Sequence, residues 1–133
     1  MDVSVGQKAA REMVVTEDMV AAYADVTGDR NPLHFDTEFA AGTRFKRLIA
    51  QGGIATGLLH ALVAMDMPGP GSVFLSQSWN FPKPVYIGDK IRATATAASV
   101  HERRGIVKLD IAIENQEGET VLSGEATVMQ VEP

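Results

Sequence analysis

From Leu48 to Met67 the chain is apolar, broken only by Gln51, Gly52, Gly53, Thr56, Gly57, His60 and Asp66. Gly52 and Gly53 open this stretch. Ile54, Leu58, Leu59, Ala61, Leu62, Val63 and Met65 then leave almost no polar face. A helix that is apolar nearly all round has to be buried. One interrupted this often is a core element and not a membrane span. Pro68-Gly69-Pro70-Gly71 forces a turn after it. The rest of the chain must therefore supply a cover.

That cover reads as strands. Val73 to Phe81 is rich in β-formers. Pro82 and Pro84 break the run, and Val85-Tyr86-Ile87 is expected to resume it before a turn at Gly88-Asp89. Ile91, Ala93, Ala95 and Ala97 alternate with Arg92, Thr94 and Thr96. After Arg103-Arg104-Gly105, Val107, Leu109, Ile111 and Ile113 alternate with polar residues. Glu117-Gly118 turns again, and Thr120 to Val131 is the last strand. Period-two alternation between such turns is a meander of antiparallel sheet. Residues 3 to 15 read as a weak edge strand or extended arm. One buried helix and an antiparallel sheet make an α+β layer, with the sheet wrapping the helix. At 133 residues the expectation is one domain, 1–133.

Composition closes several routes. Net charge is −5 with no basic stripe, which argues against nucleic acid as partner. With no cysteine there is no disulfide, thiolate nucleophile or cysteine zinc site. The opening Met-Asp-Val-Ser-Val-Gly lacks a basic stretch followed by an apolar one, so no signal peptide is evident. A soluble, cytoplasmic protein without membrane partners is expected.

Chemistry concentrates between Thr27 and Ala40. Thr16, with Glu17 and Asp18 behind it, suits a helix N-cap. Met19, Val20, Tyr23, Ala24 and Val26 follow at helical spacing. Gly28 ends that helix as a left-handed cap and delivers Asp29. Pro32 lacks an N–H and keeps Asn31 extended, so no helix can run through the loop. Asp29 and His34 are thus turned toward one point by a short bent segment. Asp36 caps a second short helix, Thr37 to Ala41, ended by Gly42. Arg44, Lys46 and Arg47 surround Phe45, as a solvated loop or as contacts for ligand phosphates.

Gly28, Asp29, Asn31, Pro32, Leu33, His34 and Asp36 together resemble the hydratase motif of the MaoC-like family, the (R)-specific enoyl-CoA hydratases. Residues 68–77, and Phe81, Pro84, Val85, Gly88 and Asp89, are similar to that family's strand segments. The resemblance implies a hot-dog fold, a homodimer with the site near the interface, and an acyl-CoA thioester substrate without any cofactor. Asp29 and His34 would hold one water, and the backbone N–H of Gly52 would receive the thioester oxygen. Asn31, Gln51, Gly53 and His60 fall where substrate contacts are expected. Asn31 also reads as a loop holder, and His60 as a core histidine.

The chain departs from the family's usual His-Gly-Met, with Gln51-Gly52-Gly53. It also has Gly57 and His60 where a small hydroxyl residue is common. No metal is expected: His34, Asp36, His60 and His101 can be pictured as ligands, but no two of the histidines have close ligand spacing. The rival readings are a hydroxyacyl-acyl-carrier-protein dehydratase, a thioesterase, and a non-catalytic acyl-thioester binder. Residues 51 to 65 contain no Asp or Glu, which lowers the thioesterase reading. Arg44, Lys46, Arg47, Arg103 and Arg104 suit either CoA or an acidic carrier.

Overall fold

The computed structural model describes all residues, Met1–Pro133. Strand β1 (Lys8–Val14) leads to helix α1 (Glu17–Thr27) and two short helices, α2 (Pro32–Phe35) and α3 (Thr37–Ala41). The long helix α4 (Gly52–Met65) follows, and then β2 (Ser72–Asn80), β3 (Lys90–His101), β4 (Ile106–Glu114) and β5 (Thr120–Gln130). The strands form one five-stranded sheet in the order β1-β3-β4-β5-β2, with every pairing antiparallel. No helix is long and apolar enough to cross a membrane.

The alternation in β3 explains how α4 sits. Ile91, Ala93, Ala95 and Ala97 all point inward and are essentially fully buried. A row of alanines gives the sheet a shallow face, so the helix can come close to it. Leu59, Leu62 and Val63 of α4 have no exposed surface, and they share one core with Leu109, Ile113, Leu122 and Val128. Each large side chain buried this way contributes about 1.5–3 kcal/mol.

Three expectations need correction. Helix α4 begins at Gly52, because Leu48 to Gln51 runs extended: Ile49 bridges Tyr86, and the Ala50 N–H donates to the Val85 carbonyl. For the same reason Val85 to Ile87 is not a continuation of the preceding strand. Thirdly, α4 is not buried all round. Gly57, Ala64 and Met65 lie open, with Met65 61% exposed. One sheet covers one side of a helix; the opposite side needs another layer.

Candidate active site

Helix α1 delivers the acid. Thr16 caps it, its hydroxyl accepting from the Met19 N–H, and Gly28 ends it at φ 82°. A left-handed cap costs glycine nothing, since it has no Cβ to clash. The next residue is Asp29. Its carboxylate accepts the Asn31 N–H at 3.2 Å, and its side chain remains 41% exposed.

His34 lies on a helix rather than in a loop. Asn31 is extended, as expected before proline, but its side chain accepts the Leu33 N–H and caps the single turn α2, with Pro32 in first position. Proline there sacrifices no hydrogen bond and starts the turn. That turn buries the imidazole, leaving it 7% exposed. Its Nδ1 lies 2.7 Å from the Ile49 carbonyl oxygen, and its Nε2 lies 3.7 Å from Asp29 Oδ1. A carbonyl only accepts, so Nδ1 carries the hydrogen and Nε2 of the neutral ring keeps a lone pair. Asp36 caps α3 by accepting the Phe39 N–H, which is a structural duty.

Gln51 ties this segment to α4. Its side chain is 2% exposed, and its Nε2 donates to the Val20 carbonyl at 3.0 Å and, more loosely, to the Asp29 carbonyl at 3.4 Å. Its Oε1 is buried without a protein partner. One side chain therefore joins α1, the Asp29 segment and the first residue of α4. That geometry makes Gln51 a clamp on the chain's own backbone, and it also lines the hollow beside Gly52.

Gly52 opens α4, whose first amides are unpaired and carry partial positive charge. The hollow beside it, about 260 Å³, is walled by Phe45, Phe81, Val85 and Val121. Gly53 is accounted for by packing. A Cβ there would overlap the hydroxyl and ring of Tyr23. Sequence inspection missed this pairing, since nothing in spacing links residues 23 and 53.

His60 stands apart from the Asp29/His34 pair, on the α4 face toward β2. Its ring lies 4.7 Å from that of Phe74, and its Nε2 lies 2.9 Å from Gln77 Oε1. The same oxygen accepts the Trp79 indole N–H. Asn31 and Gly53 thus have structural duties, while Asp29, His34 and the start of α4 are joined through Ile49 and Gln51.

Comparison with known proteins finds related sequences and structures. The MaoC like domain family matches residues 3–119. An (R)-specific enoyl-CoA hydratase of Aeromonas caviae is 39% identical over 93% of this chain and 92% of its own. A mitochondrial 3-hydroxyacyl-[acyl-carrier-protein] dehydratase of Solanum lycopersicum is 34% identical over 94% of this chain and 76% of its own. The solved (R)-hydratase of A. caviae superposes with a TM-score of 0.93 at 37% identity, covering 98% of both chains. The fold is the α+β hot dog.

Proposed function

The chain belongs to the MaoC like domain family, and from that premise we propose that it adds water reversibly to a trans-2-enoyl-CoA thioester, giving the (R)-3-hydroxyacyl-CoA. The activity is that of a hydro-lyase and oxidises nothing, so no redox cofactor takes part.

The observation that carries this reading is the 3.7 Å separation of His34 Nε2 and Asp29 Oδ1. Both atoms accept hydrogen bonds, and neither donates to the other while His34 is neutral. A water between them gives one hydrogen to each. Its oxygen then has a lone pair for the β carbon of the enoyl group. One water proton passes to the Asp29/His34 pair and from there to the α carbon, and the other stays on the new hydroxyl. Atoms balance without any further reactant. Negative charge that builds on the thioester oxygen is met by the Gly52 N–H at the positive end of α4.

The working unit is a homodimer. Strand β2 lies at the sheet edge and shows Val73 and Leu75, about half exposed. Free apolar edges need cover, and symmetric dimers are the common solution. Light scattering at micromolar protein is expected to return about two chains; a mass of one would remove this part of the proposal.

A crotonyl-CoA hydration assay, following loss of enoyl-thioester absorbance, tests the chemistry. Wild type is expected to consume the substrate and form the (R) product, and folded Asp29→Ala and His34→Ala to lose that activity. Activity surviving both substitutions would remove Asp29 and His34 from the mechanism. The second reading, a carrier-protein dehydratase, draws on the Solanum lycopersicum relative. It predicts higher kcat/KM for the carrier-bound acyl group than for its CoA ester.

A further inference from the structure

We propose that Arg44 binds the pyrophosphate of the CoA substrate in the hollow beside Gly52. This rests on the hydratase reading and adds a residue that grips the substrate's handle.

The first observation is the charge of that hollow. In a chain of net charge −5, its lining includes two cations, Arg44 and Lys83, and no carboxylate; Lys83 is bonded to Glu119 of the neighbouring hollow, so Arg44 is the unpaired one. Its remaining walls are largely apolar. Gly52 and Ala55 of α4 line the same hollow. Amide, apolar wall and cation are the three kinds of group that suit the thioester, pantetheine arm and phosphates of a CoA ester.

The second observation is how the arginine is held. Arg44, Lys46 and Arg47 take part in none of the ion pairs. The Arg44 guanidinium lies 5.1 Å from the centroid of the Phe45 ring. The Phe45 carbonyl accepts the Tyr86 hydroxyl at 2.9 Å, and the Tyr86 ring carries Arg47 at 3.8 Å. Lys46, between them, is the one non-glycine residue with positive φ, at 70°. A lysine held there costs backbone energy that the surrounding contacts must offset. Stacking on a ring leaves the edge N–H groups of a guanidinium free, and that fork matches two phosphate oxygens.

Neighbouring charge selects the side on which phosphates sit. Beyond Pro84 a second hollow shares Lys83 and holds Arg47, but Asp89, Glu117 and Glu119 line it too. Its acids outnumber its cations, so it repels a polyanion. Arg103 and Arg104 lie elsewhere, on the turn between β3 and β4, beside Met1 and Glu132. They share no lining residue with the Gly52 hollow.

The test compares crotonyl-CoA with crotonyl-pantetheine, which lacks every phosphate, and measures CoA binding by calorimetry in parallel. Wild type is expected to prefer the CoA ester through KM. In Arg44→Ala that preference should fall about tenfold or more, with CoA binding weakened alike. Arg103→Ala/Arg104→Ala removes two charges elsewhere and should keep the preference. Raised salt should erode the wild-type preference. An unchanged preference and unchanged CoA affinity in Arg44→Ala would overturn the proposal. So would loss confined to a carrier-protein substrate. If wild type hydrates neither ester, the hydratase reading fails; CoA affinity then still decides the phosphate site, weakened in Arg44→Ala if it is right and unchanged if it is wrong.

Discussion

His34 Nδ1 sits 2.7 Å from the Ile49 carbonyl oxygen, and that contact decides which nitrogen is left as an acceptor. Ile49 belongs to the extended stretch before α4, held in place by its bridge to Tyr86. The imidazole is thus oriented by the backbone that leads into the Gly52 amide. Nε2 remains as acceptor, facing Asp29. Asp29→Asn separates charge from shape, because an asparagine can still accept the Asn31 N–H. It should lower kcat for crotonyl-CoA by about 10²–10⁴. The side chain is partly exposed, so thermal unfolding should barely shift. A rate within a few-fold of wild type would exclude Asp29 as a proton carrier.

Tyr23 and Gly53 form a size pair. A Cβ at position 53 collides with the Tyr23 hydroxyl and ring. Gly53→Ala should therefore destabilise by about 1–3 kcal/mol, despite alanine's better helix propensity. Tyr23→Ala in the same chain should return most of that loss. Denaturant melts of the two single variants and the double measure the coupling. Strict additivity would mean that the two residues do not meet.

Much of this site was legible in order but not in depth. Thr16, Gly28 and Asp36 announced their caps, because capping is local chemistry. The alternation in β3 gave its buried face, because strand period is local too. The one-turn helix carrying His34 was hidden. Pro32 both bars a continuing helix and starts a new turn, and sequence alone favoured the first effect. The start of α4 was set by a pairing between Ile49 and Tyr86, distant in sequence. The duties of Gln51 and Gly53 are likewise long-range. The open side of α4 follows from counting layers, which periodicity does not report.

Lys83 and Glu119 make a surface pair with opposed shifts. The hydrogen bond and charge of Glu119 raise the Lys83 ammonium above its ordinary range, and Lys83, with Asn115, holds the Glu119 carboxyl below its own. A depressed carboxyl favours the folded state above the usual glutamate range, and that contribution fades as pH falls through the folded value. A raised ammonium favours it below the usual lysine range, and fades as pH rises through the folded value. The pair is thus fully engaged across neutral pH. An NMR titration should find Glu119 ionising at lower pH than an unpaired glutamate, and Lys83→Ala should move it upward. No movement would mean that the pair is not formed in solution.

Gln51 offers the sharpest test of how the site is held, since its two amide ends are treated so differently. Its Nε2 faces two carbonyls, of Val20 and Asp29, while its Oε1 has no partner. Gln51→Met keeps the bulk and removes both ends. Losing the donor should cost about 1–3 kcal/mol, partly offset because the unpartnered oxygen is lost as well. Gln51→Glu keeps the bulk but sets acceptor against acceptor, so at neutral pH it should be the least stable of the three. Burial and facing carbonyls both raise that carboxyl's pKa. A protonated acid can donate, so the glutamate variant alone should regain stability as pH falls toward 5. Since the clamp holds Asp29 relative to Gly52, both variants should lose kcat more than they raise KM. Thermal melts across pH and a crotonyl-CoA assay at a temperature where all three proteins are folded measure these effects. A glutamate variant as stable as wild type at pH 7 would mean that the amide does not donate to Val20 and Asp29.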